Sequence, residues 1–177
     1  MENQSASLKK IALNYGVLLA LLSIVLQVIS YVLDVHIDRP WWLSVLQLFI
    51  TVSIIVYGIK TFKMDNAGFL TISQSLKTGL AISLVAGLIG VVFNYIFMNF
   101  IDPDFIQKTL DFSREQMLVD YPNMPQEQID NSLEISAKFM SPWIMSAIAI
   151  LATLFFGFII SLISGLIMKN NPPQQFN

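Results

Sequence analysis

Three side-chain amides, Gln27, Gln47 and Asn94, sit within long apolar runs of this chain. An amide in hydrocarbon must find a hydrogen-bond partner or face water, because leaving it unsatisfied is costly. At a helical rise of about 1.5 Å per residue, the three fall at one depth, in the same outer third of the runs as Ser30 and Ser146. Two chemistries fit that placement. One is an interhelical hydrogen-bond cluster, worth roughly 0.6 kcal/mol per contact. The other is a polar pocket open to one side of a membrane. Further chemistry is scarce. His36 is the only histidine, set between Asp34 and Asp38 in what reads as an exposed link, without the converging ligands that a metal requires. Cysteine is absent, which removes disulfides and thiolate sites. No histidine can be placed beside a serine, and no glycine-rich phosphate loop is present. The central portions of the apolar runs carry no ionisable residue, which argues against a proton-coupled transporter acting as a monomer. These features predict no enzyme, no cofactor and no metal site.

The elements that must hold the amides are set by composition. Of 177 residues, 55% are apolar and 12% charged, and mean hydropathy is +0.65. A soluble domain is about a quarter charged, so water cannot cover this one. Runs at about 11–33, 41–62, 75–101 and 142–168 each reach the roughly 20 residues that cross a bilayer. The first run is too long for a cleaved leader and lacks a small-residue cleavage site, so it reads as a retained helix. Pro40 is suited to a helix start, and Trp41 and Trp42 to the lipid–water interface. Asp65, Asn66, Ala67 and Gly68 form a turn signal. Asp102 and Pro103 read as an N-cap and first helical position.

Residues 102–141 differ sharply from the rest. Eight carboxylates face only Lys108, Arg114 and Lys138 there. Two amphipathic segments, split by Pro122 and Pro125, predict a helical hairpin outside the bilayer, able to lie on its surface. Its carboxylates read as a solvated acidic face, since no loop has EF-hand spacing. Phe105, Phe112, Leu133 and Phe139 are its candidate contact residues. The expected fold is therefore all-α: a membrane bundle of four transmembrane helices with an extracytoplasmic helical hairpin between the third and fourth. It forms a single integral membrane domain over 1–177, with a disordered tail at 170–177.

Small residues give the bundle its expected seam. Ser75, Gly79, Ser83 and Gly87 recur every four residues in the third run, as do Ala149, Thr153, Gly157, Ser161 and Gly165 in the fourth. Four-residue spacing lines one helix face, and bare faces let helix backbones approach closely in a membrane. If the two helices run antiparallel, Gly79 to Gly87 and Gly157 to Gly165 share a depth. Gly79, Ser83, Gly87, Gly157, Ser161 and Gly165 are thus the expected helix-packing positions, and Gln27, Gln47 and Asn94 the candidate polar pocket. One small or polar stripe per run predicts four helices turned toward a common axis.

Charge sets the expected orientation. With the N-terminus inside, Lys9, Lys10, Lys60, Lys63, Lys77 and Lys169 lie on the inner side. Arg39, Lys108, Arg114 and Lys138 then lie outside with ten carboxylates, and all three tryptophans fall at the outer interface. An even number of spans returns the C-terminus to the cytoplasm.

The stretch at 68–89, GFLTISQSLKTGLAISLVAGLI, resembles the middle of a bacterial membrane family, domain-of-unknown-function family 4199. The phrases Ile101-Asp-Pro-Asp-Phe105 and Lys138-Phe-Met-Ser-Pro-Trp143 and the acidic insert are similar too. The resemblance covers most of the chain and implies a four-helix integral membrane domain; a bacterial inner membrane is the expected location. It brings no catalytic or binding residues. The sequence thus points to a non-enzymatic membrane interaction or accessory protein. The alternative is a small transporter, channel or lipid- or ligand-binding protein built as a homo-oligomer around the outer polar layer. Its expected partners are the lipid bilayer and another membrane protein or itself, with no nucleic acid.

Overall fold

A computed structural model describes residues 2–171, with side chains from residue 8 onward. The fold of the described residues is all-α, without strands. Six helices follow in order: α1 (Glu2–Val32), α2 (Trp41–Asp65), α3 (Ile72–Ile96), α4 (Phe105–Asp120), α5 (Gln126–Phe139) and α6 (Pro142–Met168). A π-helical turn, Phe97–Ile101, extends α3. Four helical stretches, Leu8–Val32, Trp41–Asp65, Ile72–Ile101 and Pro142–Met168, are long and apolar enough to cross a membrane. Only 17% to 33% of their most apolar windows is buried, so most of that surface needs hydrocarbon rather than water around it. The helices suggest a membrane protein.

The four long helices close a ring, α1 on α2, α2 on α6, α6 on α3 and α3 on α1. Within it α3 is the hub: it packs extensively on α6 and α1 and also reaches across to α2, while α1 and α6 scarcely touch. The reason lies in the two kinds of face on α3. Its serine–glycine face admits α6, while Ile82, Val85 and Ala86 fill the space toward α1 and α2. Val85 packs so closely on Gly16 of α1 that a Cβ there would lie 2.6 Å from it. Ile82 does the same to Gly58 of α2, at 2.5 Å. Ile55, Ile59, Leu19 and Ala20 complete this core.

The end of the bundle at the α2–α3 turn is closed by hydrogen bonds. Thr71 and Gln74 form a capping box at the start of α3, satisfying two backbone donors that the helix leaves free. The segment after α6 turns back beside it. Leu70 and Asn170 exchange backbone bonds of 2.8 and 2.9 Å, and the Asn170 amide donates to the Gly68 carbonyl at 3.0 Å. The tail expected to be disordered from residue 170 therefore begins as a paired segment, and residues 172–177 lie outside those described. Lys63 donates to the Met168 carbonyl at 2.9 Å, placing a cation on the negative end of α6.

Beyond the opposite end, α4 and α5 pack mainly on each other. Ile129 and Leu133 of α5 are buried, and Arg114 of α4 pairs with Asp130 at 2.9 Å.

Candidate functional site

The end of the bundle where α3 leads into α4 holds the most organised polar group among the described residues, at the junction of three segments. The link after α1 brings His36, the chain after the π turn brings Asp102, and the first turns of α4 bring Lys108. The Asp102 carboxylate accepts from His36 Nε2 at 3.0 Å and from Lys108 Nζ at 2.6 Å. Local sequence explains this placement. In the π turn the Asp102 N–H bonds back to the Phe97 carbonyl, five residues away rather than four, so Asp102 leaves the α-helical register. Its side chain is 3% exposed. The expected N-cap role is not realised: Asp104 caps α4 by position, without a side-chain bond, while Asp102 is spent on His36 and Lys108.

Nor is His36 an exposed loop residue. Its side chain is 7% exposed and boxed by aromatic rings. Tyr31 meets it edge-on at 5.0 Å, Phe105 stacks on it at 6.2 Å, and Phe97 closes the remaining side. The Tyr31 hydroxyl donates to the Ile101 carbonyl at 3.3 Å. Bonding Nε2 to a carboxylate places the neutral ring's proton on that nitrogen. Nδ1 is buried and has no hydrogen-bond partner. A bare acceptor is the tolerable half of this arrangement, since a protonated Nδ1 would be a buried, unpaired donor. The pair resembles one that orients a general base, yet no hydroxyl or thiol meets Nδ1. No group of three His, Asp or Glu side chains among the described residues is placed to hold a metal.

Electrostatics keep Asp102 and Lys108 ionised. Burial pushes the Asp102 carboxyl up, but the hydrogen bonds from Lys108 and His36, with the attraction of the Lys108 charge, outweigh it. Its pKa lies below the ordinary carboxylate value. The hydrogen bond to Asp102 holds the Lys108 ammonium above its usual range. A carboxylate so buried is tolerable only because both oxygens are engaged.

The three amides divide into two sets. Gln27 donates to the Asn94 carbonyl oxygen at 3.4 Å, joining α1 to α3. Gln47 turns the other way, to Ser23 Oγ at 2.9 Å and Thr51 Oγ1 at 3.2 Å, joining α2 to α1. Ser30 and Ser146 bond to carbonyls of their own helices, at Leu26 and Pro142. The hub position of α3 accounts for the separation, because Gln47 faces α1 and not the α1–α3 contact.

The small residues of α3 and α6 meet in one antiparallel register, with glycine set against serine. A methyl on Gly79 would land on Ser161, and one on Gly157 would land on Ser83. A Cβ on Gly165 would lie 2.9 Å from Ser75 Cβ. Gly87 differs: its nearest neighbour, Thr153, would stand 3.7 Å away, an ordinary contact. Ser75 Oγ donates to the Ser161 carbonyl at 2.7 Å across the seam, while Ser83 Oγ is buried without a partner. On α4 and α5, Leu133 is buried, Phe105 belongs to the aromatic box and Phe112 is half-buried. Phe139 is 59% exposed.

Reading residues in order missed the Asp102 group. Its members are separated by up to 72 positions, and only the six-residue spacing of Asp102 and Lys108 hints at any pairing. No curated protein and no solved structure matches the chain. A family model matches residues 14–170, taking in the aromatic box, the amides and both sides of the seam, and the chain belongs to that family, described as "Protein of unknown function (DUF4199)".

Proposed function

We propose that this chain is a non-enzymatic accessory protein of a bacterial inner membrane, multi-pass with both termini cytoplasmic. The α4–α5 pair forms an extracytoplasmic hairpin that engages another protein. One observation carries the reading: the hairpin packs on itself, is tied to the bundle at its root through Asp102, and keeps its outer face free. The charge distribution supports the orientation, with six lysines at one end of the bundle and ten carboxylates at the other. The alternative of a homo-oligomeric transporter or ligand-binding protein depends on the amides. They bond to one another and to hydroxyls between helices, which favours the interaction reading.

Affinity purification of the tagged chain from native membranes in mild detergent, with mass spectrometry, tests the proposal. A stoichiometric partner is expected. Recovery of the chain alone as a defined oligomer would favour the transport reading. Reporter fusions at residue 120 and at the C-terminus are expected on opposite sides of the membrane, and finding both on one side would refute the topology.

A further inference from the structure

We propose that the far end of α4 is a docking surface for a basic, amphipathic segment of a partner protein; the inference rests on the accessory reading above. Past the Arg114–Asp130 pair, α4 ends in apolar residues that nothing covers. Leu118 is 48% exposed, Val119 75% and Tyr121 58%. Asp111, Glu115 and Leu118 share a helix face, and Val119 lies one turn beyond Glu115. Asp120 and Glu127 border the same end. The site is thus an apolar centre with an acidic rim, the anatomy of an interface patch.

The state of the cations sets the sign of its partner. Three basic residues serve residues 102–141, and each is already engaged: Lys108 with Asp102 at 2.6 Å, Arg114 with Asp130 at 2.9 Å and Lys138 with Glu134 at 2.8 Å. No cation among the described residues pairs with Asp111, Glu115, Asp120 or Glu127. A second copy of this chain would bring an identical acidic rim against the first, and an anionic lipid surface would add like charge. A segment with a lysine- or arginine-rich border around apolar residues satisfies both parts of the patch. The site lies a helix length, about 24 Å, from the Asp102 anchor, so it can be engaged without disturbing the bundle.

The test is photocrosslinking of the full chain in native membranes, with p-benzoylphenylalanine replacing Val119. The expected result is one protein adduct whose crosslinked peptide is amphipathic and basic. Its yield should fall about tenfold in the Asp111→Lys, Glu115→Lys double variant, since rim charges steer association. The same reversal at Asp34 and Asp38 should leave it unchanged. Crosslinks to lipid, to a second copy or to a non-basic segment would overturn the proposal, as would no adduct at all. Co-purification separates this failure from that of the accessory reading. A partner retained undiminished by the Leu118→Ser, Val119→Ser variant refutes the docking surface and leaves the accessory role standing. If no partner co-purifies even with the unaltered chain, both fail. These positions are exposed, and helix content measured by circular dichroism should stay unchanged in every variant.

Discussion

The two ends of this molecule are held together by different physics. In the α3–α6 seam, glycine faces serine and the helices meet with almost nothing between them. Stability there comes from close packing, which is short-ranged and intolerant of added volume. At the other end, the segments are joined by one buried carboxylate, a lysine and a histidine boxed by aromatic rings. That contact depends on charge and hydrogen bonds, and α4 and α5 hang from it. The seam fixes where the spanning helices lie, and the Asp102 group fixes where the acidic helices attach.

Substitutions should expose the difference. The largest effect is expected for Gly79→Leu, which would drive a side chain into Ser161 and force α3 from α6. We expect a loss of at least about 3 kcal/mol, at the upper end of overpacking costs, read as loss of the folded species in detergent unfolding. Gly87→Ala in the same stripe should be neutral or slightly stabilising, because its Cβ would find ordinary contact with Thr153. Equal damage from the two would mean that the register of the seam is not as described.

Next in size is Asp102→Ala. Removing the shared acceptor strands His36, while Lys108, with 47% of its side chain exposed, can turn to water. The expected cost is about 2 kcal/mol, with faster proteolysis of residues 102–141 than of the bundle. Uniform destabilisation of both would contradict a local tie.

The pH dependence should follow the same group. The folded pKa of Asp102 lies below its ordinary 3.8, so its contribution is complete above that value and is lost as pH falls through the folded pKa. Lys108 is shifted up from 10.5, so its contribution is complete below that value and is lost as pH rises through the folded pKa. Protease protection of α4 should therefore weaken as pH falls below 3.8 and as it rises above 10.5, and unchanged protection at both extremes would refute the assignment. The smallest loss is expected for Asn94→Leu, which removes one long hydrogen bond at roughly 0.6 kcal/mol. Loss of flux or ligand binding from a folded Asn94→Leu protein would instead revive the transport reading.

Much of the fold was legible because membrane helices announce themselves locally. Apolar runs of bilayer length, Pro40 and Pro142 at helix starts, and the turn at 65–68 are each readable within a few residues. Four-residue spacing likewise marks one face of a helix, whichever helix it meets. What packing decides was less accessible. That α3 is a hub follows from Ile82 and Val85 seating on Gly58 and Gly16, in helices that periodicity alone cannot order. Asp102 reads locally as a helix cap, and a π turn cancels that role by shifting the register.

The sequence by itself determined that this chain makes long apolar helices, that two of them carry bare faces, and that one acidic segment stands apart from them. Those properties reside in composition and in spacing along one strand of backbone. Only the tertiary structure decided that glycine meets serine across the seam, that Gln47 parts from Gln27 and Asn94, and that His36 is buried against Asp102. Each joins residues distant in the chain, and their pairing depends on which helix faces touch and at what register.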